Sequence, residues 1–170
     1  MMRIFFDTEF TELGIDPQLI SIGLVAEDGE RTFYAELSDT YEDRQCSDFV
    51  REAVLPQLEG GDARMTFREL AERLAAWLAA FNGPVKLACD SLAWDWPWIQ
   101  ELFGELDTWP ANVDGKPLLL TMNYLNNYDP FVETVEQAFR TLRRHHSLDD
   151  AKASRLGWIA AGGDIDWRTP

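Results

Sequence analysis

Positive charge is scarce in this sequence. Its 170 residues include 15 Lys and Arg against 30 Asp and Glu, which gives a formal net charge of −15. Because contacts to phosphate are made mainly by Lys and Arg, a protein that grips nucleic acid along a broad basic surface is excluded. A site in which divalent cations supply the positive charge is not excluded, since a bound ion is often the largest charge in its surroundings.

Cysteine and long apolar runs are also scarce. Cys46 and Cys89 are too few for a disulfide framework, and neither belongs to a spacing typical of zinc sites. No uncharged apolar run reaches the roughly 18 residues of a membrane-spanning helix, and Asp7 interrupts the first apolar run, unlike a secretion signal. We therefore expect a cytoplasmic protein without membrane contact, folded as a single domain over residues 1–170.

Short segments rich in β-branched and aromatic residues predict a sheet. Three of them follow one another with only turn-forming sequences between them, which indicates antiparallel strands. A fourth is separated from these by a helix and is therefore expected to run parallel to one of them. A fifth is weaker because Pro117 is typical of a strand start or an edge. The predicted strands are 4–10, 19–26, 31–37, 85–89 and 116–121.

Apolar residues at helical spacing predict the remaining elements. Thr66 with Glu69 three residues later is the pattern of a helix start, and Gly83-Pro84 marks the end of that helix. Ser147 is likewise expected to cap a last helix. This order of elements predicts an α/β fold with a mixed five-stranded sheet flanked by helices. Further helices are predicted from about residue 97 and over 134–144, and long loops over 41–62 and 104–117.

Two carboxylates stand inside the first predicted strand. Asp7 and Glu9 are two residues apart in an otherwise apolar segment, so the alternation of a strand turns both to the same side. Two like charges there destabilise the fold unless a cation neutralises them, which favours a metal site. An edge strand with a solvated acidic face would show the same pattern.

The only two histidines of the chain precede the last predicted helix. If Ser147 caps this helix, Asp150 lies in its first turn, where the helix dipole favours a charged carboxylate, and His145 lies just ahead. Histidine is the side chain that titrates near neutral pH, which suits proton transfer. The same residues also fit an ordinary capping box at a polar helix end.

A third polar segment follows the fourth predicted strand. Asp90 and Asp95 lie close to the carboxyl end of that strand, where the sites of α/β proteins gather. Either residue can also serve only as a turn or cap residue. Trp94 and Trp98 can stack on bases, although tryptophans in such a cluster more often belong to a core.

Together these three segments resemble the motifs of the DEDDh superfamily of 3′–5′ exonucleases. Asp7-Thr8-Glu9 resembles the first motif, Asp-x-Glu. The segment 90–98 resembles the second, His-Asn-x-x-Phe-Asp, with Asp90-Ser91 in place of His-Asn. The segment 145–151 resembles the third, His-x-Ala-Leu-x-Asp-Ala, with Ser instead of the first Ala.

The resemblance extends over essentially the whole chain, and the chain looks most like the small mycobacterial-type stand-alone 3′–5′ exoribonucleases. It implies an RNase H-like fold. It assigns the aspartate of the second motif to Asp95, with Asp90 as a rival, and the histidine of the third motif to His145. His146 with Asp149 or Asp150 is a second register.

The resemblance also implies a two-metal mechanism in which His145 takes the proton of the attacking water. Oxygen ligands suit two Mg²⁺ or Mn²⁺ ions better than zinc. The implied metal ligands are Asp7, Glu9, Asp95 and Asp150, and the expected substrate contacts are Thr8, Phe10, Trp94 and Trp98. Phosphate contacts are expected from Arg140, Arg143 and Arg144.

The activity so implied is an exoribonuclease that releases nucleoside 5′-monophosphates from single-stranded RNA or from 3′ overhangs. A DNA 3′–5′ exonuclease of the proofreading or repair type is an alternative, because no residue of the sequence identifies a contact to the 2′-hydroxyl. A catalytically silent nucleic-acid-binding domain of the same fold is another. A homodimer is expected only because several relatives form one.

Overall fold

A computed structural model describes residues 1–165 of the protein. Its centre is a six-stranded mixed sheet with the strand order β4-β3-β2-β1-β5-β6. The first three strands in the chain pair antiparallel, whereas β5 runs parallel to β1 and β6 parallel to β5. The strands are β1 Met2–Phe10, β2 Leu19–Ala26, β3 Thr32–Leu37, β4 Arg64–Met65, β5 Val85–Cys89 and β6 Leu118–Leu119.

Helices cover both faces of the sheet. Alternation along β1 sends Phe6 into a core beneath α2 and α3, and Phe5 into a second core beneath α4 and α5. Both phenylalanines are almost completely buried, and the neighbouring strand β2 is buried along its whole length. The helices are α1 Asp48–Ala53, α2 Phe67–Ala79, α3 Trp96–Glu105, α4 Tyr128–Ala138 and α5 Ser147–Ala160.

The structure confirms the predicted mixed α/β sheet and corrects its strand number from five to six. The additional strand, β4, has only two residues and pairs parallel with the end of β3. A strand so short has no alternation pattern of its own, so the sequence does not reveal it. The predicted strand 116–121 is reduced to two residues, Leu118–Leu119.

The helix boundaries differ from the prediction at three places. The helix predicted over 134–144 runs over Tyr128–Ala138, because Pro130 is tolerated in a first helical turn. The predicted loop 41–62 contains α1 and three single-turn helices. The cap of α5 is His146 and not Ser147, whose hydroxyl instead lies 3.1 Å from that of Ser21.

Within residues 1–165, none of the helices combines the length and the apolar character that crossing a membrane requires.

Candidate active site

Acidic side chains from β1, from the start of α3 and from the start of α5 meet in one open cleft of about 380 Å³. Asp7 and Glu9 come from β1, and Asp95 immediately precedes α3. His145 and Asp150 come from the two sides of the start of α5. The complete lining is Asp7, Thr8, Glu9, Phe10, Asp90, Ser91, Trp94, Asp95, Val135, Glu136, Phe139, Arg144, His145, Asp150 and Ser154.

A glycine in β2 allows α5 to reach the cleft. Gly23 lies opposite Asp7 in the β1–β2 register, and a Cβ atom on Gly23 would stand only 2.1 Å from the backbone nitrogen of Leu148. A side chain at this position would therefore push the first turn of α5 off the sheet. The close approach of the backbones brings Asp150 next to Asp7 and Glu9.

Two groups of carboxylates share Asp7. Ligand atoms of Asp7, Glu9 and Asp150 lie within 4.8 Å of one another, and so do those of Asp7, Asp90 and Asp95. Asp95 is the N-cap residue of α3, but its side chain makes no cap hydrogen bond. Instead its Oδ1 accepts a hydrogen bond of 2.6 Å from Thr8 Oγ1, which orients the carboxylate.

Burial and mutual repulsion disfavour the charged forms of these carboxylates. Burial, followed by the charges of its acidic neighbours, raises the pKa of Asp7 well above its ordinary value. Burial and the charges of Asp150 and Asp95 raise the pKa of Glu9 to about 8. Burial is also the largest cause that raises the pKa of Asp95 and of Asp150 to about 7. A divalent cation would remove this repulsion and let all four groups ionise.

The residues present fit such a cation. Asp150 Oδ2 is buried and has no hydrogen-bond partner among the described residues, although buried carboxylate oxygens are normally satisfied. An oxygen that binds a metal ion needs no hydrogen-bond donor, so this unpaired oxygen is suited to be a metal ligand. A donor set made only of carboxylate oxygens is typical of Mg²⁺ or Mn²⁺ and not of zinc.

His145 lies at the edge of the cleft in an unusual backbone conformation. Its φ angle is 65°, in the left-handed region, and its ring packs edge-on against Phe49 at 4.9 Å. Burial, followed by the positive charge of Arg144, lowers the pKa of His145 below its ordinary value. The imidazole is therefore neutral at pH 7 and able to accept a proton.

The second register of the third motif does not reach the cleft. His146 is buried, with 2% of its surface exposed, and its ring stacks on Tyr34 at 4.6 Å. Asp149 forms an ion pair of 2.8 Å with Arg143. The pair that faces the cleft is therefore His145 and Asp150. Of the two candidates in the second motif, Asp90 and Asp95, both line the cleft.

The aromatic residues divide into two kinds. Phe10 and Trp94 line the cleft with their rings stacked, 5.6 Å apart and 15° from parallel. Trp94 is 36% exposed. Trp98, by contrast, is 8% exposed, belongs to the core beneath α2 and α3, and does not line the cleft.

The predicted phosphate-binding arginines also separate. Arg144 lines the cleft, where its guanidinium pairs with Glu136 at 2.7 Å. Arg143 is held by Asp149 and Glu59, and Arg140 is exposed and outside the cleft lining. The wall at α4 has no sequence signal, because Val135 and Glu136 lie on an amphipathic helix without any motif and Phe139 directly follows it.

Solved structures share this architecture. The nuclease domain of 3′hExo, a DEDDh family member whose structure has rAMP bound, superposes with a TM-score of 0.62 at 18% identity, covering 95% of this chain and 90% of that one. S. pombe Pop2p, in a form with Mg²⁺ and Mn²⁺ bound, gives 0.61 at 16% identity, covering 98% and 86%. The chain thus has the RNase H-like fold of DEDDh nucleases, as predicted.

The family follows from sequence. A model of the 3′-5′ exoribonuclease Rv2179c-like domain matches residues 2–160, and the chain belongs to this family. The 3′-5′ exoribonuclease Rv2179c of Mycobacterium tuberculosis is 51% identical over 57 residues, which are 34% of this chain and 33% of that protein. The match thus spans about a third of this curated relative. The predicted kinship with mycobacterial-type exoribonucleases is confirmed.

Proposed function

We propose that the protein is a metal-dependent exoribonuclease that releases nucleoside 5′-monophosphates from the 3′ end of single-stranded RNA or of a 3′ overhang. The observation that carries the proposal is the meeting of Asp7, Glu9, Asp95, Asp150 and a neutral His145 in one cleft. Membership of a 3′-5′ exoribonuclease family supports it. So does the rAMP bound to 3′hExo, because it is a nucleotide of the product type.

Two Mg²⁺ or Mn²⁺ ions would be held by carboxylates that already lie within reach of one another. Asp7, Glu9 and Asp150 form one ligand group, and Asp7 with Asp95 forms the other. The ions bound to Pop2p support this choice. When bound, such cations neutralise the charge of the phosphate and lower the pKa of water. Thr8 contributes by fixing the orientation of Asp95.

His145 would act as the general base. A ring nitrogen of the neutral imidazole accepts the proton of the water that attacks the phosphorus of the last phosphodiester. The bond from this phosphorus to the 3′-oxygen of the penultimate nucleotide breaks, the 3′-oxygen takes a proton from solvent, and the last nucleotide is released as a 5′-monophosphate. The lowered pKa keeps this nitrogen free of a proton at pH 7. The edge contact with Phe49 limits rotation of the ring.

The substrate would be held by stacking and by one arginine. Phe10 and Trp94 offer a face on which a base can stack, whatever its identity. Arg144 would contact a phosphate after exchanging its partner Glu136 for the substrate. Trp98 is not part of this proposal because it is buried in the core. A single domain over residues 1–170, a homodimer and a cytoplasmic location stay predictions from the sequence.

The test is a cleavage assay on a 5′-labelled single-stranded RNA and its DNA counterpart, with Mg²⁺, Mn²⁺ or EDTA. We expect a ladder that shortens from the 3′ end of the RNA, that EDTA abolishes, and that Asp7→Asn lacks. The matched control is Asp62→Asn, which removes the same charge from an exposed turn and should cleave like the natural chain.

Other outcomes of this assay would replace the proposal. Preferential shortening of DNA would make the protein a DNA 3′–5′ exonuclease. Cleavage of neither strand with any cation would leave a catalytically silent nucleic-acid-binding domain as the better explanation.

A further inference from the structure

The turn that carries His145 is held in place by a segment remote from it in sequence. Residues 49–60 lie between β3 and β4 and pack against residues 143–146, which lead into α5. None of the three DEDDh motifs includes a residue of 49–60. Their link to the site is therefore made by contacts with residues 143–146 and not by a motif.

His145 needs external support for its conformation. Among the described residues, only Asp107 and His145 combine a side chain with a positive φ angle. The left-handed conformation is unfavourable for such a residue, so it persists only where neighbouring contacts impose it. Here those contacts act on the residues on both sides of His145.

Glu59 is the point where the contacts from both sides meet. Its Oε1 accepts a hydrogen bond of 3.0 Å from Arg143 Nη2, and the same oxygen lies 3.3 Å from Nε2 of His146. One carboxylate oxygen thus faces the residue two before His145 and the residue directly after it. Neither ring nitrogen of the buried His146 has a hydrogen-bond partner among the described residues, so the approach of Glu59 to Nε2 is a close contact and not a hydrogen bond.

Glu59 is itself held firmly. The buried Glu36 accepts hydrogen bonds from the backbone nitrogens of Glu59 and Gly60, and a third from the hydroxyl of Tyr34 at 2.8 Å. Gln57, two residues earlier, donates its amide to the carbonyl oxygen of Arg144. The chain thus has a fixed anchor on β3 that extends through residues 57–60 to the turn.

We propose that Glu59 is a positioning residue. It holds residues 143–146 so that His145 keeps its left-handed conformation and faces the cleft. The proposal rests on the proposed function, in which His145 takes the proton of the attacking water. Glu59 contacts Arg143 and His146 and is not part of the cleft lining. Its loss should therefore displace the base without weakening metal or RNA binding.

A structural readout tests this independently of activity. The chain has only two histidines, so a protein labelled with ¹³C-histidine gives two ring signals, which a His145→Gln variant assigns. With Mg²⁺ present, Glu59→Gln should move the His145 signal toward that of free histidine and weaken the nuclear Overhauser contact between the rings of His145 and Phe49. An unchanged signal and contact would overturn the proposal, even if the natural chain proved inactive on RNA.

Steady-state kinetics supply the second readout. Glu59→Gln should lower kcat about tenfold and leave KM within about twofold, because only the placement of the base changes. Glu59→Ala, which leaves Arg143 no acceptor at this position, should lower kcat further. Glu52→Gln is the matched control, since it removes the same charge from an exposed site on α1 and should behave like the natural chain.

Destabilisation of the Glu59 variants can be recognised from their Tm. Glu59 has 49% of its side chain exposed, so the substitution should leave Tm within about 2 °C of the natural chain. If Tm falls further, Gln57→Ala provides the decision, because it removes the hydrogen bonds to the carbonyl oxygens of Arg144 and Ala53 without changing any charge, and should cause the same loss of kcat at unchanged KM. A rise in KM with unchanged kcat in either variant would instead make the segment part of RNA binding and overturn the proposal.

Discussion

Asp149 and Asp150 are neighbours in the first turn of α5, yet their carboxylates have opposite properties. Burial acts to raise the pKa of Asp149, but hydrogen bonds from the side chain and backbone of Arg143 hold it below its ordinary value. Burial raises the pKa of Asp150 to about 7, despite the nearby backbone N–H groups of His145 and His146. The difference lies in the partners, because one carboxylate has an arginine and the other faces further carboxylates.

The same contrast separates two groups of carboxylates near the first turn of α5. One group lines the cleft, and the other, which we call the outer cluster, consists of Glu36 and Glu59. In the outer cluster, Glu36 is satisfied by backbone N–H groups and Glu59 by Arg143. In the cleft, Asp7, Glu9 and Asp150 form no ion pair with a basic side chain of residues 1–165, since Arg144, which lines the cleft, pairs with Glu136. A buried cluster of carboxylates that the protein leaves without counter-charge destabilises the fold, so it points to a ligand that supplies the charge.

Neutralising Asp150 should have the largest effect. Asp150→Asn should lower kcat on RNA by about a thousandfold, which corresponds to roughly 4 kcal/mol, because one ligand of the cation is lost. The same change should stabilise the protein in EDTA by on the order of 1 kcal/mol, since it removes one of the repelling charges. Cleavage assays and denaturant unfolding at pH 8 measure both effects. Activity that survives this change would separate Asp150 from the metal site.

Neutralising the neighbour should have the reverse consequences. Asp149→Asn should lower the free energy of unfolding by about 2 kcal/mol, because Asp149 is 8% exposed and accepts two hydrogen bonds from Arg143. The affinity of this variant for Mn²⁺, measured by calorimetry, should stay within about twofold of that of the natural chain, since Asp149 does not line the cleft. A large loss of Mn²⁺ affinity would contradict the separation of the two clusters.

The pH dependence of stability should also distinguish them. The carboxyls of Glu9, Asp95 and Asp150 have pKa values of about 8, 7 and 7 in the folded chain, above their ordinary values. Between the two sets of values the folded state binds more protons than the unfolded state, so stability in EDTA should fall as pH rises from about 5 to 8. Thermal unfolding should show that fall, and Mg²⁺ should reverse it by binding the ionised form.

The variant that neutralises Asp150 also serves as the control for this pH dependence. Asp150→Asn removes one of the raised pKa values, so the slope of stability against pH in EDTA should become shallower. An equal slope in this variant, or a stability that rises with pH in EDTA, would show that the cleft carboxylates ionise without hindrance.

The sequence predicted the parts of the site that depend on local geometry. The alternation of a strand was enough to place Asp7 and Glu9 on one side, and the structure puts both in the cleft. The third motif was predicted in the register that faces the cleft, although the expected cap at Ser147 was wrong. His146 is the cap residue, and Ser147 is buried against Ser21 because Gly23 lets α5 approach β2 so closely.

The parts that depend on tertiary packing were beyond the sequence. Nothing in the spacing of Phe49 or Glu59 indicates that they lie next to His145 and His146. These contacts join residues that are far apart in the sequence, so they exist only in the folded chain. Trp94 and Trp98 also look alike in sequence. Only the docking of α3 on the sheet buries one of them and leaves the other in the cleft.

Asp90 offers the smallest and finest test of the comparison, because it is exposed while its ligand atom lies within 4.8 Å of those of Asp7 and Asp95. Because Asp90 is exposed, solvent competes with the cation for its carboxylate, so removing it should withdraw only a weak ligand. Asp90→Asn should therefore weaken Mn²⁺ binding only about threefold in calorimetry, far less than Asp150→Asn. A loss as large as that of Asp150→Asn would make Asp90 a full ligand, and burial would then no longer separate the two kinds of carboxylate in the cleft.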